Sequence, residues 1–282
     1  MIKHILVAMD DSPHSWTARQ YAVDIARGYD AIVKVLTVAD TGMIATPAGW
    51  GFDSMPYPWF DPSGRGKAAQ TQSLEASYLD LLNKARTMFE EEGVRFRTVY
   101  RYGVPDDTIV EESQTVDLVV MGHQGRGSSF LDRVMGSTAR SVVRRCHKPV
   151  FVAPQEHQPL KRLLLAYDGS PHANRALQWA AEIATTLQLP VVVLSVHKRE
   201  GEAAMNVLKA KEYLSAYPLH VTPVSLIQYG HVADEILWVA SEQDCNLIVM
   251  GAYGHNPLRE AVLGSTTEKV MNETAVPLML VR

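Results

Sequence analysis

Cysteine is scarce in this chain: Cys146 and Cys245 are the only thiols among 282 residues. They form no CxxC pair, which excludes a disulfide framework and a zinc ribbon. Two unpaired thiols fit a reducing compartment, and the expectation is a cytoplasmic protein. Long hydrophobic runs are missing too. The apolar stretches cover about five to eight residues, against roughly 20 for a membrane span, so no membrane partner is expected. The N-terminal MIKHILVAMDDS has a short apolar part that runs into acids, and it reads as a first strand rather than a signal peptide. Basic charge is short: 27 Lys and Arg against 31 Asp and Glu give a formal net charge of −4. A phosphate backbone needs a basic footprint, so nucleic acid is not an expected partner. Neither half contains GxxxxGK[ST], which excludes a P-loop NTPase. No Ser/His/Asp order and no metal-ligand cluster stands out among the 10 histidines.

What is present is an internal repeat. Lys3 to Ala26 aligns with Lys161 to Ala184 at a constant offset of 158, with 12 of 24 positions identical, including Ser-Pro-His at 12–14 and 170–172. Val119-Val120-Met121-Gly122 matches Ile248-Val249-Met250-Gly251 at an offset of 129, and Pro149 to Val152 matches Pro277 to Leu280 at 128. The second copy is therefore shorter by about 30 residues, lost between its second strand and second helix. A period this long means two like domains rather than a solenoid. The expected units are 1–155 and 160–282, with the polar Gln155–Pro159 as linker. Each is large enough for its own core.

Within each copy, apolar runs alternate with segments of helical periodicity. Ile5 to Met9 is continuously apolar, as a strand buried on both faces should be. Ser12 is a good N-cap and Pro13 a good first helical residue. Ala18, Tyr21, Ala22, Ile25 and Ala26 then share one helical face. Further strands are expected near 32–38, 94–101, 116–121 and 150–153. Helices are expected near 67–92, 105–113 and 137–145. The second copy repeats the order. Regular β–α alternation predicts an α/β fold of two doubly wound, parallel-sheet domains with right-handed crossovers. Residues 41–66, rich in Gly, Pro and aromatics, are expected to form a long loop. Trp50, Phe52, Tyr57, Trp59 and Phe60 would pack over their own domain, or serve as a lid or partner surface.

In open parallel sheets, ligands bind beyond the carboxyl ends of the strands, where strand order reverses. Three features converge there in each half. These are an acid after strand one (Asp10 or Asp168), a loop after strand four (Gly122 or Gly251), and Gly-Ser-Thr at 136–138 or 264–266. Glycines let backbone N–H groups approach a ligand, and a helix starting at Ser265 would aim its positive end at the same place. A phosphate group suits such a site. The acids have a second reading, in which they only shape the turn before a Ser-capped helix. Gly125-Arg126-Gly127 is a fragment of GxGxxG, but it follows the fourth strand, so a dinucleotide fingerprint is not supported.

The spacing Gly-x2-Gly-x9-Gly-[Ser/Thr], carried by Gly251, Gly254, Gly264 and Ser265, resembles the ATP-binding signature of universal stress proteins. The segments VAMDDSPHS and LAYDGSPHA also resemble that family's N-terminal strand. The resemblance covers both copies apart from 41–66. It implies two tandem five-stranded sheets of order 3-2-1-4-5, packed as an internal pseudo-dimer through Val150–Ala153 and Leu278–Val281, and leaves homodimer formation open. It also implies ATP or a related adenine nucleotide, with or without Mg. In the second copy Asp168 would take the ribose and the Val196 backbone the adenine. Met250, Gly251 and Gly254 would flank ribose and phosphates, and Gly264, Ser265 and Thr266 would hold the phosphates. The first-copy equivalents are Asp10, Val38, Met121, Gly122, Gly125, Gly136, Ser137 and Thr138. There ten residues rather than nine separate Gly125 from Gly136, so the second copy is expected to be the better nucleotide site.

The resemblance implies a nucleotide-binding stress-response protein rather than an enzyme. A weak ATPase, or an interaction protein with vestigial sites, stands as the alternative. His123 and His255 lie by the glycine loops, where a histidine can act as a general base. They occupy different loop positions and have no carboxylate partner in sequence, so a structural role is expected of them.

Overall fold

The structure, a computed structural model, describes residues 1–40, 65–125, 135–253 and 263–282. The aromatic stretch from Trp50 to Phe60, Arg126, Gly127, Gly254 and His255 therefore lie outside the described residues. The strands are β1 (His4–Ala8), β2 (Ile32–Asp40), β3 (Phe96–Gly103), β4 (Leu118–Gly122) and β5 (Val150–Ala153), then β6 (Leu163–Ala166), β7 (Val191–His197), β8 (Val221–Ile227), β9 (Leu247–Gly251) and β10 (Leu278–Val281). The first half carries helices α1 (Pro13–Tyr29), α2 (Arg65–Glu91), α3 (Pro105–Ser113) and α4 (Ser137–Arg145). The second carries α5 (Pro171–Leu187), α6 (Glu200–Leu214), α7 (Val232–Glu242) and α8 (Ser265–Glu273).

The helix starts follow from local chemistry. Ser12 and Ser170 keep extended backbones, and their hydroxyls accept from the Ser15 and Ala173 N–H at 3.2 and 3.1 Å. Pro13 and Pro171 fill the first helical position, where a missing N–H costs nothing. Both helices end on a left-handed residue, Asp30 (φ 49°) and Gln188 (φ 56°). Several boundaries differ from the sequence expectation: β2 runs on to Asp40, and β4 starts at Leu118 rather than Val116. Arg65 and Gly66 belong to α2 rather than to the preceding loop. The third strand starts at Phe96, not Val94. Gly93, at φ 66°, turns the chain out of α2, and the Val94 N–H closes that helix end on the Phe89 carbonyl.

The strands form one ten-stranded sheet of order β3-β2-β1-β4-β5-β10-β9-β6-β7-β8. Each half has the order 3-2-1-4-5, as expected, with parallel neighbours inside it. The halves meet where β10 runs antiparallel to β5, with Leu278 opposite Val152, Met279 opposite Phe151 and Leu280 opposite Val150. Alternate strand residues face opposite layers. Ile5, Val7 and Phe151 enter a core beneath α1, α2, α5 and α6. Leu6, Val152 and Leu280 enter a second core beneath α3, α4, α7 and α8. Both cores run across the two halves. Among the described residues no helix is long and apolar enough to cross a membrane, and both cysteines are buried and unbridged.

Candidate functional site

Each half has a crevice where its sheet reverses direction. In the second half β6 lies between β7 and β9. The chain leaves β6 through Tyr167, Asp168 and Gly169, the last at φ 79°, a left-handed conformation that suits glycine. Asp168 Oδ1 accepts from the Ser170 N–H at 2.9 Å, so the carboxylate shapes the turn as well as facing the crevice. On the opposite wall α8 begins at Gly264, an extended N-cap with no side-chain cap. Helix geometry leaves the first-turn N–H groups without intrahelical partners. Thr267 is buried, and its hydroxyl donates to the Ala252 carbonyl at 3.1 Å, fixing the start of α8 against the loop after β9.

These walls enclose a cavity of about 590 Å³. Asp168, Val196, Met250, Gly251, Gly264, Ser265 and Thr266 all line it, so every described second-copy candidate comes to one place. Sequence reasoning missed Tyr253, His197, Val232, Ile236 and Glu268, which line it too. Tyr253 sits between the candidate glycines, and that position was a usable signal. Val232 and Ile236 come from α7, which carries no motif.

The first half builds the same crevice. Asp10, Val38, Met121, Gly122, Gly125, Gly136, Ser137 and Thr138 line one cavity, but its volume is about 170 Å³. Tyr78 of α2 and Gln124 contribute to its walls. No α6 side chain among the described residues does the equivalent in the second half. Asp10 Oδ1 accepts from the Ser12 N–H at 3.2 Å and from its hydroxyl at 2.6 Å. Gly136, the uncapped N-cap of α4, donates its N–H to the His123 carbonyl at 2.9 Å.

The glycines divide into two kinds. A Cβ on Gly251 would lie 2.9 Å from His172 Cβ and 3.0 Å from the His172 carbonyl carbon. On Gly122 it would lie 2.7 Å from His14 Cβ and 2.8 Å from the His14 carbonyl carbon. These two are glycine because the first turn of α5 or α1 closes on the strand end, a reason inside the fold rather than at a ligand. A Cβ on Gly125 would instead meet Asp10 Oδ2 at 2.6 Å.

Of the two loop histidines, His123 has a structural partner. His123 Nε2 donates to the Met271 carbonyl at 2.6 Å. Burial lowers its pKa, against an opposing contribution from that bond. His14 is lowered too, by burial first and then by the charge of His123, whose ring lies 6.2 Å away. At the second crevice burial, and then the Asp168 charge, raise the Tyr167 hydroxyl. The Tyr167 O–H donates to Asn174 Oδ1 at 2.6 Å.

The profile of the universal stress protein family matches residues 1–154 and again 159–282. A universal stress protein of Synechocystis sp. is 24% identical over 294 residues, covering 100% of both chains. A universal stress protein of Methanocaldococcus jannaschii is 31% identical over 156 residues, covering 54% of this chain and 82% of its own. The crystal structure of a universal stress protein from Archaeoglobus fulgidus superposes with a TM-score of 0.76 at 21% identity, covering 99% of this chain and 96% of the other. With two family matches spanning nearly all of its length and the repeated 3-2-1-4-5 sheet, this chain belongs to the universal stress protein family.

Proposed function

We propose that the chain is a regulatory stress protein whose two domains, 1–155 and 160–282, each present an adenine-nucleotide site, with ATP held foremost in the second. The observation that carries this reading is the pairing of Asp168 with the uncapped start of α8 across a cavity of about 590 Å³. Ligand sites typically occupy about 300–1,000 Å³, a range the second cavity meets and the first, at about 170 Å³, does not.

The residues fit the nucleotide part by part. Leu194, Val196, Val232, Ile236 and Met250 offer an apolar bed for the base. Asp168 would accept from ribose hydroxyls. The N–H groups at Gly264, Ser265 and Thr266 would receive phosphate oxygens, favoured by the helix dipole. Among the described residues no group of three or more His, Cys, Asp or Glu could hold a metal ion, so Mg would enter bound to the phosphates. Internal pairing through β5 and β10 would take the place of a homodimer.

A nucleotide that binds only the folded chain stabilises it, by about 2.7 kcal/mol at 100 times Kd. Occupancy alone can therefore report nucleotide level, without turnover. The test is native mass spectrometry of gently purified protein, followed by thermal melts in millimolar ATP. Near one equivalent of adenine nucleotide and a raised melting temperature are expected. The shift should vanish in Ser265→Asp, whose carboxylate repels phosphate yet suits a helix N-terminus. No bound nucleotide and no shift in the wild type would overturn the reading.

A further inference from the structure

The second site is not closed by its own domain. Tyr253 lines the second cavity, and its hydroxyl donates to the Arg144 carbonyl at 2.9 Å, in the last turn of α4 in the first half. Arg282 donates to the same carbonyl at 3.1 Å, and its guanidinium lies 5.5 Å from the centre of the Tyr253 ring. In return α8, whose first turn walls the second cavity, reaches the first site. Asn272 Oδ1 accepts from the Met135 N–H and from Arg140 Nη2, both at 3.2 Å. Met135 directly precedes Gly136, the N-cap of α4 and part of the first cavity's wall. His123, between the first-site residues Gly122 and Gln124, donates to the Met271 carbonyl one residue before Asn272.

Each crevice is thus tied to the helix whose N-terminus walls the other. The ties use different chemistry in the two directions. By the repeat offset Tyr253 corresponds to Gln124, and Ala252 to His123. The arrangement is therefore not a by-product of duplication with identical contacts.

We propose that Tyr253 and Asn272 are positioning residues acting in trans, so that filling the second site orders the α4 start that walls the first. This rests on the nucleotide reading above. The ligand must fix the Tyr253 ring and the first turn of α8. Fixing the ring fixes the α4 end through Arg144, and fixing α8 holds Asn272 against Met135. A site already ordered by its neighbour binds its own ligand with less entropy to lose. ATP in the second site should therefore tighten the first, by the roughly fivefold or more usual for coupled sites.

The test is hydrogen–deuterium exchange on the full chain carrying Ser137→Asp, which blocks the first site with a carboxylate that suits the start of α4. ATP should slow exchange in peptides covering 263–273 and also in those covering 135–145, by about twofold or more in the latter. Adding Tyr253→Phe keeps the ring in the wall and removes the hydroxyl. Protection over 135–145 should then fall relative to that over 263–273, both read at saturating ATP. Asn272→Leu should act the same way through Met135. Protection confined to 247–253 and 263–273, or α4 protection untouched by both substitutions, would overturn this proposal and leave nucleotide binding standing. No ATP binding in the wild type would remove the nucleotide reading and this proposal with it. Binding in the wild type that disappears in Ser137→Asp would assign the nucleotide to the first site and overturn the proposal.

Discussion

His123 Nε2 lies 2.6 Å from the carbonyl oxygen of Met271, 148 residues away and in the other half of the chain. A carbonyl only accepts, so the ring must carry its proton on Nε2. The bond persists whether or not Nδ1 is protonated, but burial disfavours the cation and lowers the pKa from 6.5. His14, close by, is lowered for the same reason and by repulsion from His123. When a histidine is lowered in the folded state, the unfolded chain binds more protons below pH about 6.5, so stability falls as pH falls. The melting temperature should therefore decline between pH about 7.5 and 5.5. His123→Gln keeps an N–H donor and cannot titrate, so it should flatten that slope. An unchanged slope in His123→Gln and in His14→Gln would show that neither ring is the source.

A second acid limb should follow at lower pH, from carboxylates. Burial alone would raise Glu112, but Lys34 and Arg101 outweigh it and hold the carboxyl below 4.5. Asp117 is likewise opposed by burial and held below 3.8, by the Lys3 and His4 N–H groups at 2.7 and 2.9 Å. Depressed carboxylates contribute stability above their unfolded pKa and lose it as pH drops through the folded value. Lys34 is only 6% exposed, on a central strand and paired to Glu112. Glu112→Gln leaves that ammonium the residue-112 carbonyl at 3.3 Å but no counter-charge, and should cost about 3–5 kcal/mol, as broken buried pairs do. Urea denaturation measures it, and the substitution should also shrink the limb below pH about 4.5.

The glycines of the signature should respond unequally to alanine. Gly251→Ala drives a Cβ to 3.0 Å from the backbone of α5, and Gly122→Ala to 2.8 Å from that of α1. Neither backbone can move without shifting a helix off the sheet, so a loss of about 1–3 kcal/mol is expected for each. A Cβ on Gly136 meets nothing closer than 3.5 Å, and its φ of −58° is open to any residue. Gly136→Ala should change stability by about 0.5 kcal/mol or less. Chemical denaturation without nucleotide separates these costs from any effect on binding, and equal losses at all three positions would contradict the packing account.

The inner strands such as β1, β4, β6 and β9 were legible because both faces of the sheet are covered there, which makes each a continuous apolar run, whereas the edge strands β3 and β8 are mixed and half-exposed. The starts of α1 and α5 were legible because Ser-Pro is local chemistry. The crevices were legible because the repeat shows the same three features twice. The onset of β3 was misplaced by two residues because Gly93 acts as a helix terminator, and apolar Val94 looks like strand. The ties from Tyr253 to Arg144 and from His123 to Met271 were not legible. They join residues 109 and 148 apart through backbone carbonyls, which every residue has. The role of Gly251 was readable only in part, since a glycine that spares a helix and one that admits a phosphate look identical in sequence.

Arg19 was the least legible of all. An arginine beside a helix's apolar face reads as solvent-facing, yet this one is 2% exposed. Among the described residues its Nε and Nη1 have no hydrogen-bond partner, and Nη2 lies 3.8 Å from Glu92 Oε1, too far for a hydrogen bond. Glu92 is also engaged by Arg27. The guanidinium is partly offset by the face of Phe89, 5.6 Å from the ring centre. A cation–π contact is worth about 2 kcal/mol when desolvated, less than the several kcal/mol that a buried ion loses in leaving water. The second copy carries Leu177 at the equivalent position of α5, where it is buried in the core. Arg19→Leu should therefore stabilise the protein, by about 1–4 kcal/mol if it follows other replacements of buried charges by hydrocarbon. The urea midpoint should rise with the slope unchanged, because the same surface is exposed on unfolding. A lower midpoint would mean that Arg19 is better compensated than its geometry indicates. Arg19→Lys separates charge from shape: it keeps the charge but loses the planar face over Phe89, and should fall below the wild type.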